Sequence, residues 1–356
     1  MSCNSWKLFT LLLSGSALLL GCGGDEGGDS NGTTQTAQAG RDTSAISYVA
    51  YSTTMTFDHC SGGTSQYATN DFYIGTTGSV STDKLIEIVK AAQASFETLN
   101  GSNYFNVNAP TDLGIDSQNR LEICIDTAEG SNGAGYKQGV IMGSSLSGSN
   151  LDFILDHELT HVIAANILGK DLPSVLSERW FDEGLATLFA DNVILTKSQM
   201  SSLISMSYGG KQTPPNVVLK SDEDIWSYDG KNTSYYYPAY NTVLRYSMHL
   251  GASKSDFIQI LFKMREIEEG CQTQKASIYS STGGMHGSNS FSGMSNACSA
   301  LDTGYETTYN GSIIDGDEVF QAAFDEIMSY NGIGLTMSQL RDNTYFVNNV
   351  VNGFLN

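Results

Sequence analysis

Between Ser47 and Phe57, and again from Asp71 to Gly75, apolar residues alternate with polar or aromatic ones, the period-two pattern of short strands. The period then changes. Leu85, Ile88, Val89, Ala92, Phe96 and Leu99 fall three and four apart, which predicts a helix over Lys84–Leu99, with Thr82 as its N-cap and Gly101 as its stop. Tyr104–Val107, Leu121–Ile125 and Gly139–Gly143 read as further strands. From Asn150 onward the pattern is helical. Leu151–Gly169 is apolar over a helical length, with Asn150 placed to cap it, Asp152 in its first turn and Gly169 at its end. Ser177 predicts the cap of a second helix over roughly Glu178–Asn192. A polar loop with Pro214 and Pro215 leads to Tyr235–Leu250, expected to be helical after Pro238. Ser255–Glu268 and Asp317–Ser329 carry further apolar stripes, whereas Cys271–Cys298 has no period and reads as an exposed loop. No internal repeat is present. The pattern predicts an α+β protein, with a small mixed β-sheet lobe over residues 46–149 and a mainly helical lobe over 150–356.

With 356 residues, 40% of them hydrophobic, the chain has enough material for one large domain or two lobes with a sizeable core. A formal charge of −20 argues against nucleic acid or an anionic membrane surface as a partner and suits a solvated acidic exterior; a monomer is expected. The N-terminus changes the picture more. Lys7 precedes the apolar run Leu8–Leu20, the pattern of a targeting segment. The run ends Leu19-Leu20-Gly21-Cys22, which resembles the lipobox of bacterial lipoproteins. That resemblance implies a signal peptide over residues 1–21, a lipid anchor on Cys22, and an exported protein held in the bacterial envelope, as an outer membrane lipoprotein. Residues 22–45 are rich in Gly, Ser, Thr and Asp and predict a flexible tether. No later stretch has 18 uninterrupted apolar residues. Four cysteines then remain. In an exported chain they suggest two disulfides; of three connectivities, Cys60–Cys124 with Cys271–Cys298 is preferred because each loop stays within one lobe.

The chemistry concentrates in His157-Glu158-Leu159-Thr160-His161, an H-E-x-x-H sequence inside the apolar segment. On a helix, residues four apart share a face, so His157 and His161 can offer two imidazole nitrogens to one metal ion, for this donor set most often zinc. Glu158 lies one step round, placed to act as a general base on a water. A catalytic zinc site needs a third protein ligand. The metzincin pattern fails, because Ala164 and Ile167 stand where its Gly and His are required. Trp180-Phe181-Asp182-Glu183-Gly184-Leu185-Ala186 offers a glutamate instead, 22 residues after His161, enough for a second helix to return beside the first.

H-E-x-x-H followed by W-x-x-E-G-x-A resembles the gluzincin zinc peptidases, and its W-[FY]-x-E-G-L-A form is similar to bacterial collagenase-like exported peptidases. The likeness spans about Leu151–Asp191. It implies a zincin-like fold with the metal helix at the lobe junction, Zn²⁺ on His157, His161 and Glu183, and Glu158 as the base, acting on a protein or peptide substrate. It also implies a tyrosine or histidine from a later segment that stabilises the oxyanion. Matching Val243-Leu244-Arg245 selects Tyr237, with Tyr236 and Tyr240 as rivals. Asp182 or Asp191 could orient a histidine, and the sequence does not choose between them; each is expected to be a solvated surface residue. Gly139–Gly143 is expected to be the sheet edge that pairs with substrate, and the absence of an acidic anchor there favours an endopeptidase. His249, within the predicted Tyr235–Leu250 helix, is expected to be a packed or surface histidine, and His59 and His286 have no partner spacing. The competing reading is an inactive surface scaffold built on a peptidase fold.

Overall fold

The computed structural model describes residues 40–57, 60–101, 120–128, 130, 132–169, 177–205, 207–208, 211–212, 216–218, 233–281 and 316–355. The expected leader, Cys22, the Tyr104–Val107 strand, Pro214, Pro215, His59, His286 and Cys298 lie outside the described residues.

Six strands form one sheet: β1 (Val49–Ala50), β2 (Tyr67–Ala68), β3 (Phe72–Thr76), β4 (Leu121–Asp126), β5 (Gly133–Tyr136) and β6 (Gly139–Gly143), in the spatial order β1-β2-β3-β4-β6-β5. The three central strands, β3, β4 and β6, are parallel, and the flanking pairings are antiparallel. α1 (Thr82–Gly101) is the crossover from β3 to β4. Its cap is Ser81 rather than Thr82: the Ser81 hydroxyl accepts from the Lys84 amide at 3.3 Å and its carbonyl from Leu85 at 3.1 Å.

The period-two pattern sorts the two faces of the sheet. Phe72, Ile74, Leu121, Ile123, Ile125, Val140 and Met142 point into the main core under the helices. Tyr73, Cys124 and Ile141 point the other way, where Met55, Phe57 and Cys60 cover them. That cover is fastened twice. Cys60 and Cys124 form a disulfide (Cα–Cα 5.7 Å), and the fully buried Glu122 carboxylate accepts from the amides of Thr56 and Phe57, both at 2.9 Å. A carboxylate without water is tolerated only when donors surround it in this way. The strand expected over Ser47–Phe57 is thus mostly a covering segment, with two residues in β1 and one bridge at Thr54.

α2 (Gly148–Leu168) packs on α1, β5 and β6 and, on its other sides, on α3 (Arg179–Phe189) and α6 (Lys254–Ser281). It is apolar nearly all round, as a helix enclosed by neighbours must be. Ser147, not Asn150, occupies its N-cap; Gly169 ends it as expected, at φ 72° in the left-handed region open to glycine. Glu178, not Ser177, is the cap position of α3. Gly40 lies against Gly148, the Arg41 amide is bonded to Asp152, and the Arg41 guanidinium pairs with Asp156 at 2.8 Å. Gly40 and Arg41, within the stretch expected to be a tether, are thus held against α2.

Beyond α3 the described residues are mostly helical, as predicted: α4 (Lys197–Ser205), α5 (Thr233–His249), α6, α7 (Gly316–Tyr330), α8 (Met337–Arg341) and α9 (Asn343–Tyr345), the last running into a π-helical segment, Phe346–Phe354. α4 and the small β7–β8 hairpin (Ser207–Tyr208, Lys211–Gln212) fall where a polar loop was expected. α5 starts before Pro238, and α6 continues through Cys271 to Ser281, so the expected loop does not begin at the cysteine. Trp180, fully buried, anchors α3 among Phe181, Phe320 and Phe324, and its indole N–H donates to Glu178 at 2.5 Å. Glu178 also binds Arg341, which ties α8 to the head of α3.

Candidate metal centre

α2 places His157 and His161 one turn apart on the side facing α3, and α3 returns Glu183 to the same point. The two Nε2 atoms are 3.3 Å apart, and Glu183 Oε2 lies 3.3 Å from His157 Nε2 and 3.5 Å from His161 Nε2. Three atoms that could ligate a metal thus converge at nearly equal separations in a buried site. Neither His157 Nδ1 nor Glu183 Oε2 has a hydrogen-bond partner, although both are shielded from water. A buried carboxylate oxygen left so is costly, and a cation bound between the three side chains removes that cost. The residues fit a metal ion.

How the helices come so close is legible in their smallest residues. A Cβ on Gly184 would stand 3.2 Å from the Tyr240 backbone, so glycine next to the ligand lets α3 lie against α5. Ala186, fully buried, keeps the same helix narrow one half-turn on.

Of the two candidate aspartates, the structure selects Asp182. Its Oδ1 is 3.0 Å from His161 Nδ1, and it is buried rather than solvated. This contact fixes which ring nitrogen of His161 faces the other ligands. Asp191 instead pairs with Arg245 at 2.9 Å on the exterior, where its own side chain is 85% exposed.

The electrostatics follow from burial and these contacts. Burial disfavours the charged form of His161, but the carboxylates of Asp182 and Glu183 outweigh it and hold the imidazole well above its usual value. Burial likewise opposes ionisation of Glu183, yet the two histidines hold it well below the carboxylate range. Glu158 behaves differently: burial pushes its carboxyl up, Glu183 adds to this, and His157, His161 and a backbone hydrogen bond from Gly135 only partly oppose it. A carboxyl with a raised pKa is suited to taking up a proton.

Tyr237 is the tyrosine that reaches the site. Its ring stacks on His157, with centroids 5.6 Å apart and planes 21° apart. Burial and the Glu183 charge hold its phenol well above the usual value, so it stays a proton donor. Tyr236 and Tyr240 are buried in the core and lie tilted against each other. His249 is at the exposed end of α5 beside Phe354.

Two features escaped the sequence reading. The strand at the sheet's edge beside the metal centre is β5, not β6, which is enclosed between β4 and β5. Its sequence, Gly-Ala-Gly-Tyr, has no apolar alternation to announce it, but its glycines are the signal. A Cβ on Gly135 would fall 2.2 Å from the Glu158 carbonyl oxygen, and one on Gly133 would fall 2.7 Å from Ile154. The second is Arg179, whose guanidinium stands 3.5 Å from Glu183 Oε1. It lies one turn before Glu183, and that i,i+4 spacing of opposite charges was visible. Among known proteins, no family model matches the chain, and no curated protein or solved structure is detectably similar to it.

Proposed function

We propose that the chain is an exported zinc metallopeptidase of the gluzincin type, cutting peptide bonds within extracellular or envelope proteins. One observation carries this reading: three ligand atoms mutually 3.3, 3.3 and 3.5 Å apart. Zinc bonds of about 2.0–2.1 Å in tetrahedral geometry require ligand–ligand edges of about 3.3–3.4 Å. The donor set leaves a fourth position open, as catalytic zinc sites do. When bound, zinc would supply a Lewis acid that polarises a carbonyl and lowers the pKa of water.

The chain's own residues account for the remainder. Glu158, with its raised pKa, takes a proton from the attacking water and delivers it to the leaving amine nitrogen. Tyr237, neutral and beside His157, donates a hydrogen bond to the oxyanion formed at the scissile carbonyl. Asp182 holds His161 in orientation. β5, at the end of the sheet and flush against Glu158, offers its backbone to an extended peptide. Neither β5 nor β6 carries an acidic residue to capture a substrate N-terminus, which supports cleavage within chains. The lipobox-like Leu19-Leu20-Gly21-Cys22 and the Cys60–Cys124 disulfide support an envelope location, with Cys22 as the anchor.

The test is chelator-sensitive cleavage of casein or gelatin by the zinc-loaded protein, beside Glu158→Gln. The variant is expected to retain zinc and lose turnover by about 10²–10⁴-fold. Full proteolysis by metal-replete E158Q would remove Glu158 from the mechanism, and an inert wild type that binds zinc would favour the scaffold reading.

A further inference from the structure

The two oxygens of Glu183 face different partners. Oε2 points to both histidine nitrogens, at 3.3 and 3.5 Å, while Oε1 is 3.5 Å from the Arg179 guanidinium. Arg179 sits at the first position of α3, one turn before Glu183, and its side chain is only 31% exposed. It also acts on the Tyr237 phenol, opposing the upward push that burial and Glu183 give it. Nothing in W-x-x-E-G-x-A requires an arginine at that position; it is a feature of this chain.

We propose that Arg179 is a positioning residue that holds Glu183 to coordination through one oxygen and fixes the Tyr237 hydroxyl beside the open position. The proposal rests on the metal-centre reading. A carboxylate with both oxygens free can bind a metal through both, and a second oxygen would fill the position a substrate carbonyl or water needs. Arginine suits the task because its planar fork reaches two acceptors at once in a fixed relation, which a lysine ammonium cannot do. Arg179 acts through Glu183 and Tyr237.

The test uses the full-length protein freed of metal and loaded with Co²⁺, whose visible absorption reports coordination number and geometry. Wild type, Arg179→Met, Arg179→Lys and Glu183→Gln are compared, with the melting temperature of each metal-free protein measured alongside. Wild type should give the strong bands of a four-coordinate site. R179M should take up one cobalt with a shifted, weakened spectrum, and its turnover with zinc should fall about 10–100-fold. R179K should keep the charge but regain only part of the spectrum, and it carries the test if R179M does not fold. A spectrum of R179M indistinguishable from wild type would overturn the proposal and leave the metal reading intact. Failure of wild type to take up any metal would overturn both. A change confined to melting temperature would make Arg179 merely structural and overturn its positioning role.

Discussion

Replacing Gly135 by alanine adds one methyl group where β5 packs against α2. The new Cβ would stand 2.2 Å from the Glu158 carbonyl oxygen and 3.0 Å from His161 Cβ. Ordinary contact begins near 3.4 Å, so β5 must retreat by about 1.2 Å or α2 must give way. Neither moves cheaply. Gly135 is paired in register with Val140, and α2 is enclosed by α1, α3 and α6. Overpacking of this kind costs about 1–3 kcal/mol, and each kcal/mol lowers the melting temperature of a chain this size by about 2–4 °C. A displacement near 1 Å at Glu158, the proposed base, should also cost about 10²-fold in turnover. The control is Gly270→Ala, inside α6, where a Cβ meets nothing within 4 Å. There alanine should stabilise by about 0.5–1 kcal/mol. Paired thermal melts of the metal-free proteins decide the matter without reference to activity. If G135A melts with wild type, β5 does not lie flush on α2, and the reasoning about the site's edge fails with it.

Other consequences are independent. Asp182→Ala frees the His161 ring and should weaken zinc binding about 10–100-fold, read by competition with a chromophoric chelator; unchanged affinity would deny Asp182 its orienting role. Tyr237→Phe should lower kcat by about 10²-fold with zinc content unchanged, whereas Tyr236→Phe should leave kcat near wild type; equal losses would remove the distinction between them. Asp71 has its carboxyl pushed up by burial, with Glu97 adding and Gln93 and Arg120 opposing. A raised folded-state pKa contributes stability that is present below the unfolded value near 4 and lost as pH rises through the folded value. Asp71→Asn should therefore gain melting temperature relative to wild type between pH 4 and pH 7, and a gain that shrinks over that interval would contradict the assignment.

What could be read from the sequence follows a physical rule. His157 and His161 are legible because helical geometry alone sets their relation, and Glu183 because its W-x-x-E-G-x-A setting resembles that of the gluzincin peptidases; spacing alone would have left it a surface glutamate. The helical stripes of α1, α6 and α7 are legible because burial of one face imposes the period. Asp182 and Asp191 could not be separated, because which one meets His161 depends on how α3 is rotated against α2, a property of tertiary packing. β5 was missed because its glycines answer to steric contact with α2 rather than to the pleat. The cap positions slipped by one to three residues because Ser81, Thr82, Ser147 and Asn150 all carry suitable side chains, and packing decides which one begins the helix.

The measurement closest to the central claim is the metal content of the purified protein, by mass spectrometry of wild type and Glu183→Ala prepared side by side. One zinc per chain in wild type, and its loss in E183A with the fold retained, is the predicted result. A wild type without stoichiometric metal, or an E183A that keeps its zinc, would contradict a centre built from His157, His161 and Glu183.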